Sequence, residues 1–384
     1  MALRWFEGFE THRLTVLMGR KYAAGATFAT VTGTVAGWQS KGFCADCSNN
    51  GGTVDLTTPP LVGSVQNSWI MGWAWMMDDP GGLSSSQTTF PTVALHNSVG
   101  QQLQFEMVAY NSENKPGGFY WRLQVRRGST VLATSTKIFE LSQWYYIEVK
   151  ATVRTGTNGS FAMRWWTPFS TSATVDTFQG ATITGINTAN QGTDGADRAR
   201  MSLQSAPLTS SADAIRADDW YVCDSTGSIN NDYLGKQMIE EMQPNGNGNS
   251  IVWDLAGGAT SVTDAWAESA LAQSTTEDDK RVTSDVTDEK ELATYTDLAV
   301  HLKNTIRGVM LHTDHKMDTA GQRNFVPLLR KTTGTPAESE GTQVLVTGTA
   351  VTGSSEVFEL DPNTGAAWTQ TNLNAAEFGV KTKA

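Results

Sequence analysis

The 384-residue sequence predicts an all-β protein, a two-sheet sandwich of jelly-roll type followed by a smaller β-rich domain with one short helix. Three observations predict it. Apolar residues alternate with polar ones at period two along most of the chain, which places successive side chains on opposite faces of a strand. The alternating segments recur at spacings of roughly ten residues, separated by Gly, Asn and Asp turn chemistry. Helical periodicity is almost absent.

The strands follow in chain order. SWIMGWAWMM at 68–77 puts Trp69, Met71, Trp73, Trp75 and Met77 on one face, and its other face is also apolar or small. Such a strand belongs between two layers, or under a second sheet and a loop. DDPGG at 78–82 ends it with a turn. TVALHN and QQLQFEMVAYN flank SVG at 98–100 with hairpin spacing, and FYWRLQVRR and TVLATST repeat the pattern around Gly128-Ser129. Phe119, Trp121, Leu123 and Val125 face one way and Tyr120, Arg122, Gln124 and Arg126 the other, so one side is core and the other wet. WYYIEVKATV at 144–153, SFAMRWW at 160–166, RARMSLQS at 198–205 and IRADDWYVCD at 215–224 complete an antiparallel two-sheet set.

A mass of 41.5 kDa is large for one core, which predicts two domains, 1–226 and 227–384. Past Gly235 aromatics thin out and acids rise. QPNGNGNSIVWD at 243–254 is turn-rich, and VTDAWAESALAQ at 262–273 is the helix, with Thr263 or Asp264 as N-cap. EDDKRVTSDVTDEKE at 277–291 reads as a solvated charge run. IRGVMLHTDHKM, VPLLRKTTG, TQVLVTGTAV and SEVFELD read as strands, closing in DPNTGAAWT and an apolar tail, LNAAEFGV.

The net charge of -11 is asymmetric: up to Ser225 there are 16 basic and 17 acidic residues, and beyond it 12 and 22. An acidic surface repels phosphate backbones and anionic lipid, so nucleic acid and membrane are excluded as partners. No apolar run approaches the ~20 residues of a membrane span, and MALRWFEGFETHR has no apolar signal core behind a basic start. The expectation is synthesis in the cytoplasm without Sec export. Cys44, Cys47 and Cys223 are too few for a disulfide scaffold, so reduced thiols are expected.

Asp218 and Asp219 open the search for chemistry. Adjacent strand residues point to opposite faces, so both carboxylates line one cleft only if a bulge intervenes. One of them is expected to be buried, either as a hydrogen-bonding structural Asp or as a ligand to a hard cation such as calcium, with the other solvated. Otherwise no cofactor is expected. His312-Thr-Asp-His315 lacks the further ligands of a tetrahedral metal site, and Cys44-Ala-Asp-Cys47 is expected in a Gly/Asn loop, without a helix start to activate a thiol. Glu-x-Asp-x-x-Glu, the signature of glucanases on this kind of sandwich, is absent, and the expectation is that the chain is not an enzyme. Ten of the 13 tryptophans precede residue 225. Exposed ones would stack on sugar rings, and Trp73, Trp121 and Trp165 are the residues to test first.

Several features together resemble one family. RWFEGFET with Gly8-Phe9-Glu10, the Gly-rich GRKYAAGATFATVTG, SWIMGWAWMM, the Trp144 strand and IRADDWYVCDSTGSINNDYLG resemble the concanavalin A-like (laminin-G-like) sandwich in structural proteins of tailed bacteriophages. So do PNGNG at 244–248 with Trp253, and Asp361-Pro362 with Thr364-Gly365 and Trp368. The resemblance implies that the Asp-Asp strand closes the jelly roll beside the N-terminal strand and leads through Asn231-Asp232-Tyr233-Leu234-Gly235 into the second domain. It implies a non-enzymatic component of the virion, assembled in the host cytoplasm, in the tail, neck or capsid exterior. Its partners would be other virion proteins and copies of itself, trimers among them. The alternative is a lectin-like carbohydrate-binding module that recognises host-surface glycans. Gly235-Lys236 departs from the family's Gly-Asp after the Leu, and the chain shows no calcium-ligand cluster of a metal-dependent lectin.

Overall fold

The computed structural model describes residues 2–9, 21–22, 30–32, 37–38, 44–48, 53–78, 89–111, 119–176, 178, 183–190, 192–204, 214–266, 280–298, 305–317, 323–332 and 337–384. The chain is all-β. It divides into two compact units, Met1–Ile239 and Glu240–Ala384.

The first unit is the sandwich. One layer is a nine-stranded antiparallel sheet whose main path runs through Thr174–Asp176, Gly159–Trp166, Tyr145–Thr152, Ser68–Met77, Ala214–Asp224, Cys44–Ser48 and Thr30–Thr32. Leu3–Glu7 also pairs with Ala214–Asp224, and Ile183–Ile186 with Gly159–Trp166. The other layer has six strands in the order Thr53–Thr57, Arg198–Gln204, Thr89–Asn97, Gly100–Asn111, Phe119–Arg127 and Thr130–Thr134.

Period-two alternation decides what lies between the layers. Trp73 stands opposite Ile147, Met71 opposite Val149 and Trp75 opposite Tyr145. From the facing sheet come Trp121, Leu123, Phe105, Met107 and Leu103, all fully buried. The layers meet edge to face: Trp75 and Trp121 centroids lie 6.1 Å apart, and Phe90 and Trp121 5.1 Å. The second face of Ser68–Met77 is covered as well. Gly72 leaves no room for a Cβ because the Tyr221 ring lies across it, and Trp38 packs on Tyr146 at 5.7 Å.

The boundary at Ile239 falls later than the 226/227 read from the sequence. Residues 226–239 run along the sandwich and are held there by Lys150 Nζ on Asp232 (2.9 Å), by Glu148 Oε1 accepting the Gly235 N–H (2.8 Å), and by Lys236 Nζ on the carbonyls of Pro168 and Ser170. A texture change in the sequence locates the loss of strands, not the last anchoring contact.

The second unit is built on a six-stranded sheet. Its path is Pro244–Ile251, Lys290–Tyr295, Ala376–Lys383, Arg323–Lys331 and Ala337–Glu340, with Val344–Val346 pairing Arg323–Lys331. Two ribbons accompany it, Asp254–Ala256 with Arg281–Thr283 and Val309–His315 with Thr352–Phe358. Leu329, Phe358, Trp368, Leu373 and Phe378 form its core, and the Trp368 indole donates to the Phe358 carbonyl at 2.9 Å.

Three local expectations need correction. The helix Val262–Trp266 is capped two residues before Thr263, the earlier of the two expected caps: Ser261 Oγ accepts the Asp264 N–H (3.0 Å) while Asp264 accepts from Thr260. Residues 267–273 of that expected helix lie outside the described residues. A second helix, Gln370–Asn374, is capped by Thr369, whose Oγ1 accepts the Asn372 N–H at 3.1 Å. The charge run is not all solvated loop, because Arg281–Thr283 and Lys290–Tyr295 are strands and Glu291 is fully buried, accepting the N–H groups of Val252 and Trp253 at 2.9 Å.

Candidate functional site

The Asp-Asp pair is a hydrogen-bonding structural pair, and it departs from the expectation that one of the two would be solvated. A bulge between Asp218 and Tyr221 does intervene, with Asp219 at φ 47°, a left-handed conformation that Asp tolerates better than most residues. Both carboxylates are buried; neither is solvated. Asp218 Oδ2 accepts the Trp38 N–H (2.7 Å) and Oδ1 the Asp219 N–H (2.8 Å), while Asp219 Oδ1 accepts the Ile239 N–H (2.7 Å). Tyr146 donates to the Asp219 carbonyl at 3.0 Å. The pair pins two backbone segments to the closing strand, and among the described residues no group of three or more His, Cys, Asp or Glu could hold a metal. Asp219→Ala is expected to cost about 1–3 kcal/mol by leaving the half-buried Ile239 N–H unpaired. Urea denaturation measures it; a variant as stable as the parent would mean the Ile239 contact contributes nothing.

The tryptophans also correct expectation. Trp73 and Trp121 are fully buried between the layers, so neither ring has a face to offer a sugar. Their indole N–H groups find no partner, a cost the surrounding apolar burial offsets. Trp165 is half-buried, with the Lys137 ammonium 4.2 Å above its ring and Tyr145 beside it at 6.2 Å. Cys44 and Cys47 lie on a strand rather than in a loop and, being three residues apart, point to opposite faces. They and Cys223 are buried and outside any disulfide.

His312 Nδ1 lies 2.9 Å from Ser355 Oγ and its Nε2 3.2 Å from Asp314 Oδ1, while His315 reaches Thr352 across the ribbon. Hydrogen bonding across paired strands accounts for this cluster.

The polar constellation lies on the outer face of the six-stranded sheet. Period two makes one side of each strand polar, and the register lines those sides up: Arg200 stands opposite Ala94, Ala94 opposite Gln104, and Gln104 opposite Arg126. The small Ala94 between Arg200 and Gln104 leaves a cavity of about 160 Å³, lined by Thr92, Val93, Ala94, Gln101, Gln104, Arg200 and Ser202. Register shifts at Pro91/Val93 and Leu95/His96 bracket it, the kind of irregularity that re-aims side chains beside functional sites.

A hydrogen-bonded row crosses this face. Arg200 Nε donates to Asp55 Oδ1 at 2.6 Å, and a second contact joins its Nη2 to Asp55 Oδ2. Gln101 Nε2 donates to Gln104 Oε1 (2.6 Å), Gln104 Nε2 to Glu106 Oε2 (3.3 Å), and Arg126 Nη1 to Glu106 Oε1 (3.4 Å). Burial raises the Glu106 carboxyl above the usual carboxylate range, opposed by the Arg126 guanidinium. Burial and then the Arg200 cation push His96 down to about 4, so its imidazole is neutral at neutral pH, and its Nε2 has no partner.

None of these residues was singled out from the sequence. The signal was there in the wet side of FYWRLQVRR and in the alternate Gln and Glu of QQLQFEM. What was missing was the cross-strand register, which brings Gln104, Arg126 and Arg200 into one line.

No protein-family model matches the chain, and no curated protein matches it. Solved structures of similar fold include the marine PL-14 alginate lyase from Aplysia kurodai, at 9% identity over 58% of this chain and 99% of that one, TM-score 0.40. Another is a GH131 β-glucanase catalytic domain from Podospora anserina (12%, 55% and 85%, TM-score 0.32). A third is metal-free lectin I-B4 from Griffonia simplicifolia (8%, 47% and 86%, TM-score 0.29). These are likenesses of fold alone. The expectation that the chain is not an enzyme is not upheld: a lyase and a glucanase stand among these similar folds beside a lectin. The absent Glu-x-Asp-x-x-Glu spacing tested one hydrolytic chemistry, and a lyase, which cleaves by elimination, needs no such pair.

Proposed function

We propose that this protein engages carbohydrate along the outer face of its six-stranded sheet. The observation that carries the reading is the row of planar amides and guanidinium–carboxylate pairs crossing a cavity floored by Ala94. Sugars present donors and acceptors on neighbouring hydroxyls, and fixed planar groups that both donate and accept meet them two at a time. A polysaccharide panel in affinity electrophoresis tests it, with reducing-end and unsaturated-product assays on the same samples to detect turnover. Gln104→Ala and Arg200→Ala are expected to weaken binding about tenfold, the worth of one good polar contact, without loss of the folded sandwich. Retention of full affinity by both variants would move the site elsewhere.

For its setting we propose the particle of a tailed bacteriophage. The support is the resemblance of the closing segment, together with the pairing of Leu3–Glu7 on Ala214–Asp224 and the anchored Asn231–Gly235 turn that follows. Mass spectrometry of purified particles of a phage that encodes this chain would detect it; its absence from them would end that reading.

A further inference from the structure

Resting on the reading that this face engages carbohydrate, we propose that it takes a neutral polysaccharide rather than a polyanionic one, because three of its arginines, Arg200, Arg198 and Arg126, are already matched to carboxylates. Arg200 is held at two points by Asp55, through Nε at 2.6 Å and through Nη2. Arg198, opposite His96 in the register, is held at two points by Asp197, at 2.8 and 3.3 Å. Arg126 bonds Glu106 at 3.4 Å and turns Nη2 to the Ser129 carbonyl at 3.1 Å.

A uronate or sulfate guest needs a guanidinium edge with its parallel donors unused. Here Arg200 and Arg198 have spent that edge on their own carboxylates, so an arriving anion meets a neighbouring negative charge at close range. A hydroxyl meets no such opposition. It donates to the carboxylate and accepts from the remaining guanidinium N–H, and the Gln101–Gln104 amide pair offers the same two capacities.

The experiment compares soluble neutral polysaccharides (a β-glucan, a xylan, a dextran) with alginate and polygalacturonate on the full chain, by affinity electrophoresis and calorimetry. At least one neutral polymer is expected to bind, with affinity changing less than about twofold as salt rises to ~0.5 M, and the polyanions at least ~10-fold more weakly. Asp55→Asn leaves Arg200 unmatched and is expected to raise alginate affinity about tenfold in a salt-sensitive way. Glu106→Gln does the same through Arg126, and serves if Asp55→Asn unfolds. Tighter binding of the unaltered protein to a polyanion, falling steeply with salt, overturns the charge inference and leaves the carbohydrate reading standing. Retention of no polymer of either class overturns both.

Discussion

Replacing Trp121 with alanine is expected to lower the unfolding free energy of the sandwich by about 3–5 kcal/mol, read from urea denaturation. The ring is fully buried and bridges the two sheets, edge to face with Trp75 at 6.1 Å and Phe90 at 5.1 Å. Its backbone also exchanges hydrogen bonds with Phe139 at 3.2 and 2.8 Å, which the substitution leaves in place. The cost is therefore the lost apolar burial plus the cavity between layers that cannot close on it. Ten of the 13 tryptophans lie before residue 225, so fluorescence follows this unit rather than the second. Trp165→Ala is the control: the ring is half-buried, with Lys137 over it and Tyr145 at its side, and the expected loss is about 1 kcal/mol or less. Equal losses at the two positions would contradict the assignment of Trp121 to the core.

Stability is expected to fall by about 3 kcal/mol between pH ~4.5 and ~7 on account of one carboxyl, Glu148. Its side chain is fully buried; Oε1 accepts from the Tyr221 hydroxyl and the Gly235 N–H, and Oε2 has no partner. Burial pushes its titration up to about 7, against the opposing hydrogen bonds of Tyr221, Gly235 and Leu234 and the Arg164 cation. The folded state thus holds a proton that the unfolded chain releases at lower pH. The contribution is fully present below the ordinary glutamate range and is lost as pH rises through about 7. Glu148→Gln keeps an acceptor for Gly235 and removes the ionisation. Its urea midpoint should lack this fall, so the two profiles converge at acid pH and separate with the variant more stable at about pH 8. Parallel profiles would show that Glu148 is ionised throughout.

Much of the fold was legible because strand burial writes a period-two signature. SWIMGWAWMM, apolar on both faces, lies where that pattern requires, under the facing sheet on one side and under Tyr221 and Trp38 on the other. Functional legibility was poorer for two physical reasons. Parity separates the faces of a strand but does not say which is inward, so Trp73 and Trp121 were offered as sugar platforms when they are core. Register is set by pairs far apart in sequence, so the line from Arg200 to Arg126 through Ala94 and Gln104 has no local trace. Asp219 shows a third reason: its bulge, at φ 47°, suspends the alternation from which the carboxylates were assigned to opposite sides.

The strand Leu3–Glu7 finds its partner in Ala214–Asp224, with Leu3 beside Cys223 and Arg4 bonded to Asp224 across 220 residues of sequence. Leu3–Glu7 is made before the strand it pairs with. This pairing can form only once Ala214–Asp224 has left the ribosome. Closure of so long a loop places this sandwich among slowly folding topologies, in which rate is set by the search for one distant pairing rather than by local propensity.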